Sequence, residues 1–104
     1  AYLADPLNYN GKIGARLAEA MFDAMGQAAA GASRITTPLL VQHGDADALA
    51  APAGGQHLHD TAGSADKKLI RYPGLFHEIY NEPEQAAVLD DLVAWFDAHL
   101  PAKA

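Results

Sequence analysis

The stretch that decides the fold is PLLVQHGDAD, at Pro38–Asp47. Its apolar run, Leu39–His43, lies between a proline and a glycine, which is typical of a parallel strand buried on both faces. A second run with strand character, Lys67–Tyr72, ends at a Pro-Gly pair. Because the segment between the two runs is long enough for a helix, the sequence predicts a parallel strand–helix–strand unit of the α/β class.

Three helices are expected around the two strands. The apolar spacing predicts a helix over Ile13–Ala30 and favours one that packs on a core over a lid or a lipid-facing helix. Pro52–Ala62 is predicted to be the crossover helix, with its proline in the first turn. The strongest helical pattern covers Asn81–Leu100, and Asn81 with Glu84 resembles a capping box at its start.

The two predicted strands are too few for a parallel sheet that stands alone. Parallel strands normally lie inside larger sheets with helices on both faces. The pattern therefore predicts that the chain forms the end of a larger doubly wound sheet or pairs with another polypeptide.

Composition excludes several classes of function. The 104 residues include 7 Lys and Arg, 13 Asp and Glu, and no Cys, which gives a formal net charge of −6. An acidic chain without basic runs is a poor ligand for nucleic acid phosphates. The lack of cysteine excludes disulfides and thiolate metal sites. The apolar runs are shorter than the roughly 20 residues that span a bilayer, and an apolar share of 50% argues against disorder.

Groups capable of acid–base chemistry follow both strands. Asp45 and Asp47 come after the first strand, and His77 comes after the second. Ligands of open parallel sheets bind at the carboxyl ends of the strands, where such loops lie side by side. A carboxylate that orients an imidazole is part of nucleophilic catalysis. A turn-forming aspartate and a solvated histidine are the alternative interpretation.

The remaining polar residues favour structural roles. A metal site at His57 and His59 is disfavoured, because positions two apart on a helix face different ways. His43 is expected to be packed or hydrogen-bonded, or else to shape the pocket. His99, in the last helical turn, suits the helix dipole as a cation, and Asp90–Asp91 is expected on a solvated face.

The chain resembles a known superfamily around these residues. Pro38–Asp47 resembles the strand and acid-bearing turn of α/β-hydrolase serine esterases, and Tyr72–Glu78 with Asn81–Glu84 resembles their last strand, histidine loop and last helix. Asp5–Leu7 and the following Gly11-Lys12 resemble the region that leaves the cap in monoacylglycerol lipases, bacterial ones especially. The resemblance implies the C-terminal part of an α/β-hydrolase fold, with the end of the cap at 1–31 and the core at 32–104.

The resemblance also implies residue roles. Asp47 matches the triad acid and His77 the triad base, and Asp47 is preferred to Asp45 because the acid lies three residues after the turn glycine in this family. Neither Ser33 nor Ser64 has the glycines of the Gly-x-Ser-x-Gly nucleophile motif. The nucleophile is therefore expected in an upstream part of the same protein, and no metal or organic cofactor is expected.

The implied reaction is the release of fatty acid and glycerol from monoacylglycerols through an acyl-serine intermediate, and the 104 residues alone are expected to be inactive. Expected partners are the upstream polypeptide and a lipid ester, with transient membrane contact through the cap and no nucleic acid. Another carboxylesterase or thioesterase of this fold, or a non-catalytic fragment that self-associates through its sheet edge, are the alternatives. A cytoplasmic or membrane-peripheral location is favoured over secretion.

Overall fold

The computed structural model describes residues 4–9 and 11–100. The chain divides into two compact units, Ala1–Ala30 and Gly31–Ala104. The elements are, in order, α1 at Ala15–Gly31, a short 3₁₀ turn at Ala32–Arg34, β1 at Leu39–Gly44, α2 at Pro52–Thr61, β2 at Lys67–Tyr72 and α3 at Gln85–His99. Within the described residues, no helix has the length and apolar character needed to cross a membrane.

The first unit consists of a turn and helix α1. The Asp5 carboxylate accepts a hydrogen bond from the Leu7 N–H at 2.9 Å, which stabilises the turn. Helix α1 begins at Ala15, two residues later than predicted. None of its residues is buried, so the expectation that α1 packs on a core is wrong for the chain in this structure. Whether residues 1–31 are the end of a cap stays a prediction.

The second unit is built on a parallel pair of strands. Strand β2 has the predicted bounds, and β1 extends one residue further than predicted, to Gly44. The register pairs Leu39 with Lys67 at one end and Gly44 with Tyr72 at the other. Because the two strands end at the same level, the loops that follow them lie side by side at the carboxyl end of the sheet.

Helices α2 and α3 lie on opposite faces of this sheet. A Cβ atom on Gly55 of α2 would be 3.4 Å from Val41 Cγ1 and 2.9 Å from His43 Nδ1. The Gln42 side chain instead donates to the Val88 carbonyl of α3 at 3.0 Å. Since neighbouring side chains of a strand point to opposite faces, this alternation places one helix on each face, as in doubly wound α/β folds.

Helix α3 begins later than predicted. It starts at Gln85, and no side chain caps its first turn, so the predicted capping box is wrong. Asn81 instead donates to the Glu78 carboxylate at 3.1 Å, and Glu82 accepts from the Phe76 N–H at 2.7 Å. These polar side chains stabilise the loop after β2 rather than the helix.

The core of the second unit lies against that loop. Leu75, Ile79 and Val88 form the buried cluster, and Tyr72 packs on it. The Tyr72 hydroxyl donates to Asp91 at 2.9 Å, so Asp91 is half-buried and not on the predicted solvated face. Burial, together with the neighbouring Asp91, raises the pKa of Tyr72 to about 12.

Candidate active site

The loops after β1 and β2 are joined by their backbones. The Asp45 N–H donates to the Tyr72 carbonyl at 2.9 Å, and the Ala46 N–H donates to the Leu75 carbonyl at 2.8 Å. At the crossing point, a Cβ on Gly44 would overlap the carbonyl oxygens of Leu75 and Phe76. A glycine is therefore required where the two loops meet.

The carboxylate of Asp47 is held inside this junction. Its Oδ1 atom accepts hydrogen bonds from the backbone N–H groups of Leu49 at 2.8 Å and Ala50 at 2.9 Å. Its Oδ2 atom lies 2.9 Å from His77 Nδ1. The residue is only 8% exposed, so these donors replace the water that a surface carboxylate would bind.

The hydrogen bonds also determine the charge of Asp47. Burial by itself would raise the pKa of the carboxyl, but the hydrogen bonds from Ala50, His77 and Leu49 outweigh it and lower the pKa to about 2. Asp47 is therefore ionised at neutral pH.

The contact with Asp47 sets the orientation and the tautomer of the His77 ring. An ionised carboxylate can only accept hydrogen bonds, so His77 Nδ1 carries the proton of their contact. This leaves Nε2 as the proton-accepting nitrogen of the neutral ring. The side chain is 50% exposed, so a reactant can approach it. The structure thus brings together the two residues predicted to be catalytic, and their catalytic role stays a prediction.

A depression of about 180 Å³ adjoins the pair. It is several times the roughly 30 Å³ that one water molecule occupies in the liquid. It is lined by residues of β1, of the two loops and of the core, namely Gln42, His43, Gly44, Asp47, Ala50, His77 and Ile79.

The second acidic candidate has another partner. Asp45 Oδ1 accepts a hydrogen bond from Arg71 Nε at 2.6 Å. Its carboxylate therefore stabilises the end of β2, and Asp47 is the acid that contacts His77. The interpretation of Asp45 as a turn residue agrees with this geometry.

A network around Gln42 was not predicted from the sequence. Gln42 Nε2 donates to the Tyr72 hydroxyl at 2.6 Å, and Gln42 Oε1 accepts from the Tyr80 hydroxyl at 2.7 Å. Tyr80 lies in the loop that carries His77, so the network holds this loop against strand β1. A polar side chain within an apolar strand was the available signal, because buried amides are nearly always hydrogen-bonded.

Both serines lie at the other end of the sheet. Ser64 Oγ donates to the Asp66 carbonyl at 2.7 Å, just before β2 begins, and a Cβ on Gly63 would overlap the Ser33 carbonyl. A six-residue strand is roughly 20 Å long. Ser33 and Ser64 are therefore far from the Asp47–His77 pair.

The side chains that could hold a metal ion are not gathered into a site in the part of the chain that the structure describes. Among residues 4–9 and 11–100, no group of three potential metal-ligating side chains comes together. His59 Nδ1 contacts the neighbouring Asp60 at 3.1 Å.

Fold and site together define the class of this protein. A parallel strand–helix–strand unit with a buried carboxylate after one strand and a histidine after the next is the arrangement expected of the C-terminal part of an α/β-hydrolase fold. The sequence matches the family described as "Serine aminopeptidase, S33" over residues 1–84. The chain belongs to this family of α/β-hydrolases.

Several relatives carry lipase or esterase names. The chain is 46% identical to a monoacylglycerol lipase of Mycolicibacterium smegmatis over 100 residues, which cover 96% of this chain and 36% of the lipase. It is 39% identical to a caffeoylshikimate esterase of Arabidopsis thaliana over 67 residues, or 62% of this chain and 20% of the esterase.

A solved structure agrees with these relatives. The crystal structure of Paleococcus ferrophilus monoacylglycerol lipase superposes with a TM-score of 0.85 at 32% identity, over 95% of this chain and 38% of that one. The match confirms the predicted resemblance. The chain spans little more than a third of the length of either lipase.

Proposed function

We propose that this chain supplies the acid and the base of a serine ester hydrolase that cleaves monoacylglycerols into fatty acid and glycerol. The observation that carries the proposal is the 2.9 Å contact between Asp47 Oδ2 and His77 Nδ1 at the carboxyl ends of two parallel strands. The names of the bacterial and archaeal relatives support a monoacylglycerol as the substrate.

The geometry suits a three-residue mechanism. His77 Nε2 takes the proton of a serine hydroxyl as its oxygen attacks the ester carbonyl, and then returns the proton to the leaving glycerol oxygen. Water hydrolyses the acyl-serine with help from the same base. Asp47 keeps the His77 ring in the required tautomer and stabilises the imidazolium that forms. The low pKa of Asp47 favours this role, since the acid stays ionised throughout.

The serine would come from polypeptide outside these 104 residues. Ser33 and Ser64 lie at the amino ends of the strands, whereas a nucleophile must reach His77 at the carboxyl ends. In α/β-hydrolases the serine precedes the acid and the histidine along the chain. The donors of the oxyanion hole, which stabilise the negative oxygen of the tetrahedral intermediate, would come from the same upstream part.

The free edge of β1 offers a place for that upstream part. A groove of about 510 Å³ runs along Pro38–Gln42, between Leu58 of α2 and the apolar side chains Leu92 and Phe96 of α3. An unpaired strand edge presents backbone N–H and C=O groups that another strand can bind. Because α2 and α3 cover opposite faces of the sheet, the groove between them at this strand edge supports the next strand of a larger sheet as its occupant.

A second candidate is hydrolysis of another carboxylic ester. The relative that supports it is the caffeoylshikimate esterase, whose substrate has an aromatic acyl group. The acid–base pair would serve both reactions equally. Rates of hydrolysis for a monoacylglycerol and for a hydroxycinnamoyl ester by the same enzyme would separate the two candidates.

A chimeric enzyme tests the proposal. The M. smegmatis lipase is 46% identical to this chain, so its matching C-terminal segment is replaced by the 104 residues. We expect the chimera to release glycerol from monoacylglycerol and the 104 residues alone to be inactive. Asp47→Asn and His77→Ala should abolish turnover, while Asp45→Asn, at the neighbouring acid, should retain it. A chimera that keeps its turnover in both the Asp47 and the His77 variants would contradict the proposal.

A further inference from the structure

A second imidazole lies next to the acid–base pair. The Nε2 atom of His43, in β1, is 3.0 Å from the Ala50 carbonyl oxygen and 3.2 Å from Asp47 Oδ2. Both of these oxygens are acceptors, so Nε2 is the protonated nitrogen of the ring. The N–H group of Nε2 therefore donates to the Ala50 carbonyl in the loop that follows Asp47, and it lies close to the carboxylate.

Ala50 links His43 to the acid–base pair. The N–H of Ala50 donates to Asp47 Oδ1, and its carbonyl accepts from His43, so both backbone polar groups of Ala50 are fixed. Asp47 Oδ2 is also the atom that accepts from His77 Nδ1. Through Ala50, the position of the carboxylate that faces His77 therefore depends on where the His43 ring lies.

Helix α2 fixes the other side of the ring. Gly55 is buried, and a Cβ there would be only 2.9 Å from His43 Nδ1. The neighbouring Gly54 faces open space. A glycine inside a helix costs up to about 1 kcal/mol relative to alanine. At Gly55 the missing side chain makes room for the imidazole, whose side chain is only 16% exposed.

We propose that His43 is a positioning residue of the acid–base pair. Its Nε2–H holds the Ala50 carbonyl in place, so that the Ala50 N–H stays directed at Asp47 Oδ1 and Oδ2 stays directed at His77 Nδ1. This inference rests on the proposed function, because positioning matters only where His77 acts as a base. A ring that merely fills space would be replaced by phenylalanine without loss.

Substitution of His43 tests the hydrogen-bonding role. His43→Phe keeps a ring but lacks the donor, whereas His43→Gln can place an amide N–H near the position of Nε2. In the chimeric enzyme, we expect the Phe variant to lower kcat about 10- to 100-fold with little change in KM, as small misplacements of catalytic groups do. The Gln variant should recover most of the loss. His57→Gln, on the exposed surface of α2, is the matched control and should leave kcat unchanged.

A spectroscopic measurement on the 104-residue chain complements the kinetics. Imidazole ¹⁵N shifts and the Nδ1–H proton signal report whether His77 still donates to Asp47. We expect His43→Phe to weaken that signal by faster exchange with water, and His43→Gln and His57→Gln to retain it. Equal kcat and an unchanged His77 signal in the Phe variant would overturn the positioning role.

Two adjacent glycines give an independent test that leaves every polar group intact. Gly55→Ala pushes the His43 ring from the side of α2, and Gly54→Ala adds the same methyl group to open space. We expect only Gly55→Ala to lower kcat and disturb the His77 signal. This pair decides the question if His43→Phe does not fold. Equal behaviour of the two alanine variants would argue against the proposal.

The two proposals fail in different ways. If Asp47→Asn and His77→Ala keep their turnover, the proposed hydrolase site is wrong, and the positioning role falls with it whatever the His43 variants do. If those substitutions abolish turnover while His43→Phe and Gly55→Ala do not lower it, the hydrolase site stands and the inference about His43 is wrong.

Discussion

Each end of the sheet carries an aspartate–histidine contact, and the two contacts differ in what they can do. At the carboxyl end, His77 Nδ1 lies 2.9 Å from Asp47 Oδ2. At the amino end, His99 Nε2 lies 2.8 Å from Asp66 Oδ2. The distances are nearly equal, so distance alone does not distinguish a catalytic pair from a structural one.

The difference lies in the second ring nitrogen and in the acid. His99 Nδ1 also contacts an acceptor, the Trp95 carbonyl at 2.6 Å, so the protonated ring donates from both nitrogens and has no free acceptor. In His77, the Nε2 atom remains available to accept a proton. The Asp66 side chain is 60% exposed, whereas that of Asp47 is 4% exposed. A buried acid and one free imidazole nitrogen are what acid–base chemistry needs.

The largest expected effect is a difference in activity between enzymes in which the acid of one contact or of the other is substituted. In the chimeric enzyme, Asp47→Asn should lower kcat by about 10⁴-fold, since an amide at that position favours the wrong histidine tautomer. Asp66→Asn removes the same charge at the other end and should leave kcat unchanged. Steady-state kinetics with a monoacylglycerol substrate measures both. Comparable losses in the two variants would show that the contacts do not differ in function.

The next effect concerns the glycines beside the two contacts. A Cβ on Gly44 would overlap the Leu75 and Phe76 carbonyls, and one on Gly63 would overlap the Ser33 carbonyl. Alanine at either position should therefore destabilise the chain by about 1–3 kcal/mol, the usual range for overpacking. Urea unfolding measures the loss, and Gly54→Ala, with open space around it, is the control.

Activity then distinguishes the two glycine variants. Only Gly44→Ala shifts the loops that carry Asp47 and His77, so only this variant should also lower kcat under conditions where both proteins are folded. A Gly63→Ala enzyme with the same loss of kcat would contradict the assignment of Gly44 to the junction of the site.

A smaller effect is expected at the Gln42 network. Gln42→Leu leaves the Tyr80 hydroxyl without its acceptor and removes a donor to Tyr72. Unpaired buried polar groups cost about 1–3 kcal/mol each, and partial access of water to Tyr80 should keep the loss in free energy of unfolding near the lower value. Gln56→Leu, at an exposed hydrogen bond on α2, is the matched control. An unfolding free energy equal to that of the control would show that the network does not stabilise the His77 loop.

Much of this molecule was predictable from local patterns. An apolar run between a proline and a glycine identified β1, and a run with strand character that ends at a Pro-Gly pair identified β2, which has its predicted bounds. The meeting of an acid after β1 with His77 followed from the rule that loops at the carboxyl end of a parallel sheet are neighbours, and the resemblance implied that the acid is Asp47 rather than Asp45. Each of these predictions depends only on a few adjacent residues or on the topology of one strand–helix–strand crossover.

The errors have a different physical origin. Asn81 and Glu84 have the spacing of a helix cap, but the Asn81 side chain donates a hydrogen bond to Glu78 in the loop instead. The sequence does not show which of these two hydrogen bonds forms. The hydrogen bonds of Gln42 join residues 30 to 46 positions apart. The apolar pattern of α1 predicted that one side of this helix is buried. The pattern alone does not say which surface would cover those side chains.

The smallest expected effect is a difference in how the two aspartate–histidine contacts change the free energy of unfolding with pH. The hydrogen bonds to the Trp95 carbonyl and to Asp66 raise the pKa of His99 above its ordinary 6.5. This contribution to stability is fully present below the unfolded value of 6.5 and is lost as the pH rises through the folded pKa. The pKa of Asp47 is lowered from 3.8 to about 2, so its contribution is present above 3.8 and is lost as the pH falls toward 2.

Unfolding of the 104-residue chain, followed by circular dichroism across this pH range, gives the free energy of unfolding as a function of pH. The acid limb of this curve lies below pH 3.8 and the alkaline limb above pH 6.5. We expect His99→Gln to flatten the decline in stability above pH 6.5 and to leave the acid limb unchanged, because its ring is the group that loses a proton there. Asp47→Asn should flatten the acid limb alone. If His99→Gln left the alkaline limb as steep as in the unmodified chain, His99 would not be the cation that fastens the end of α3 to Asp66, and the contrast between the two aspartate–histidine contacts would lose its electrostatic basis.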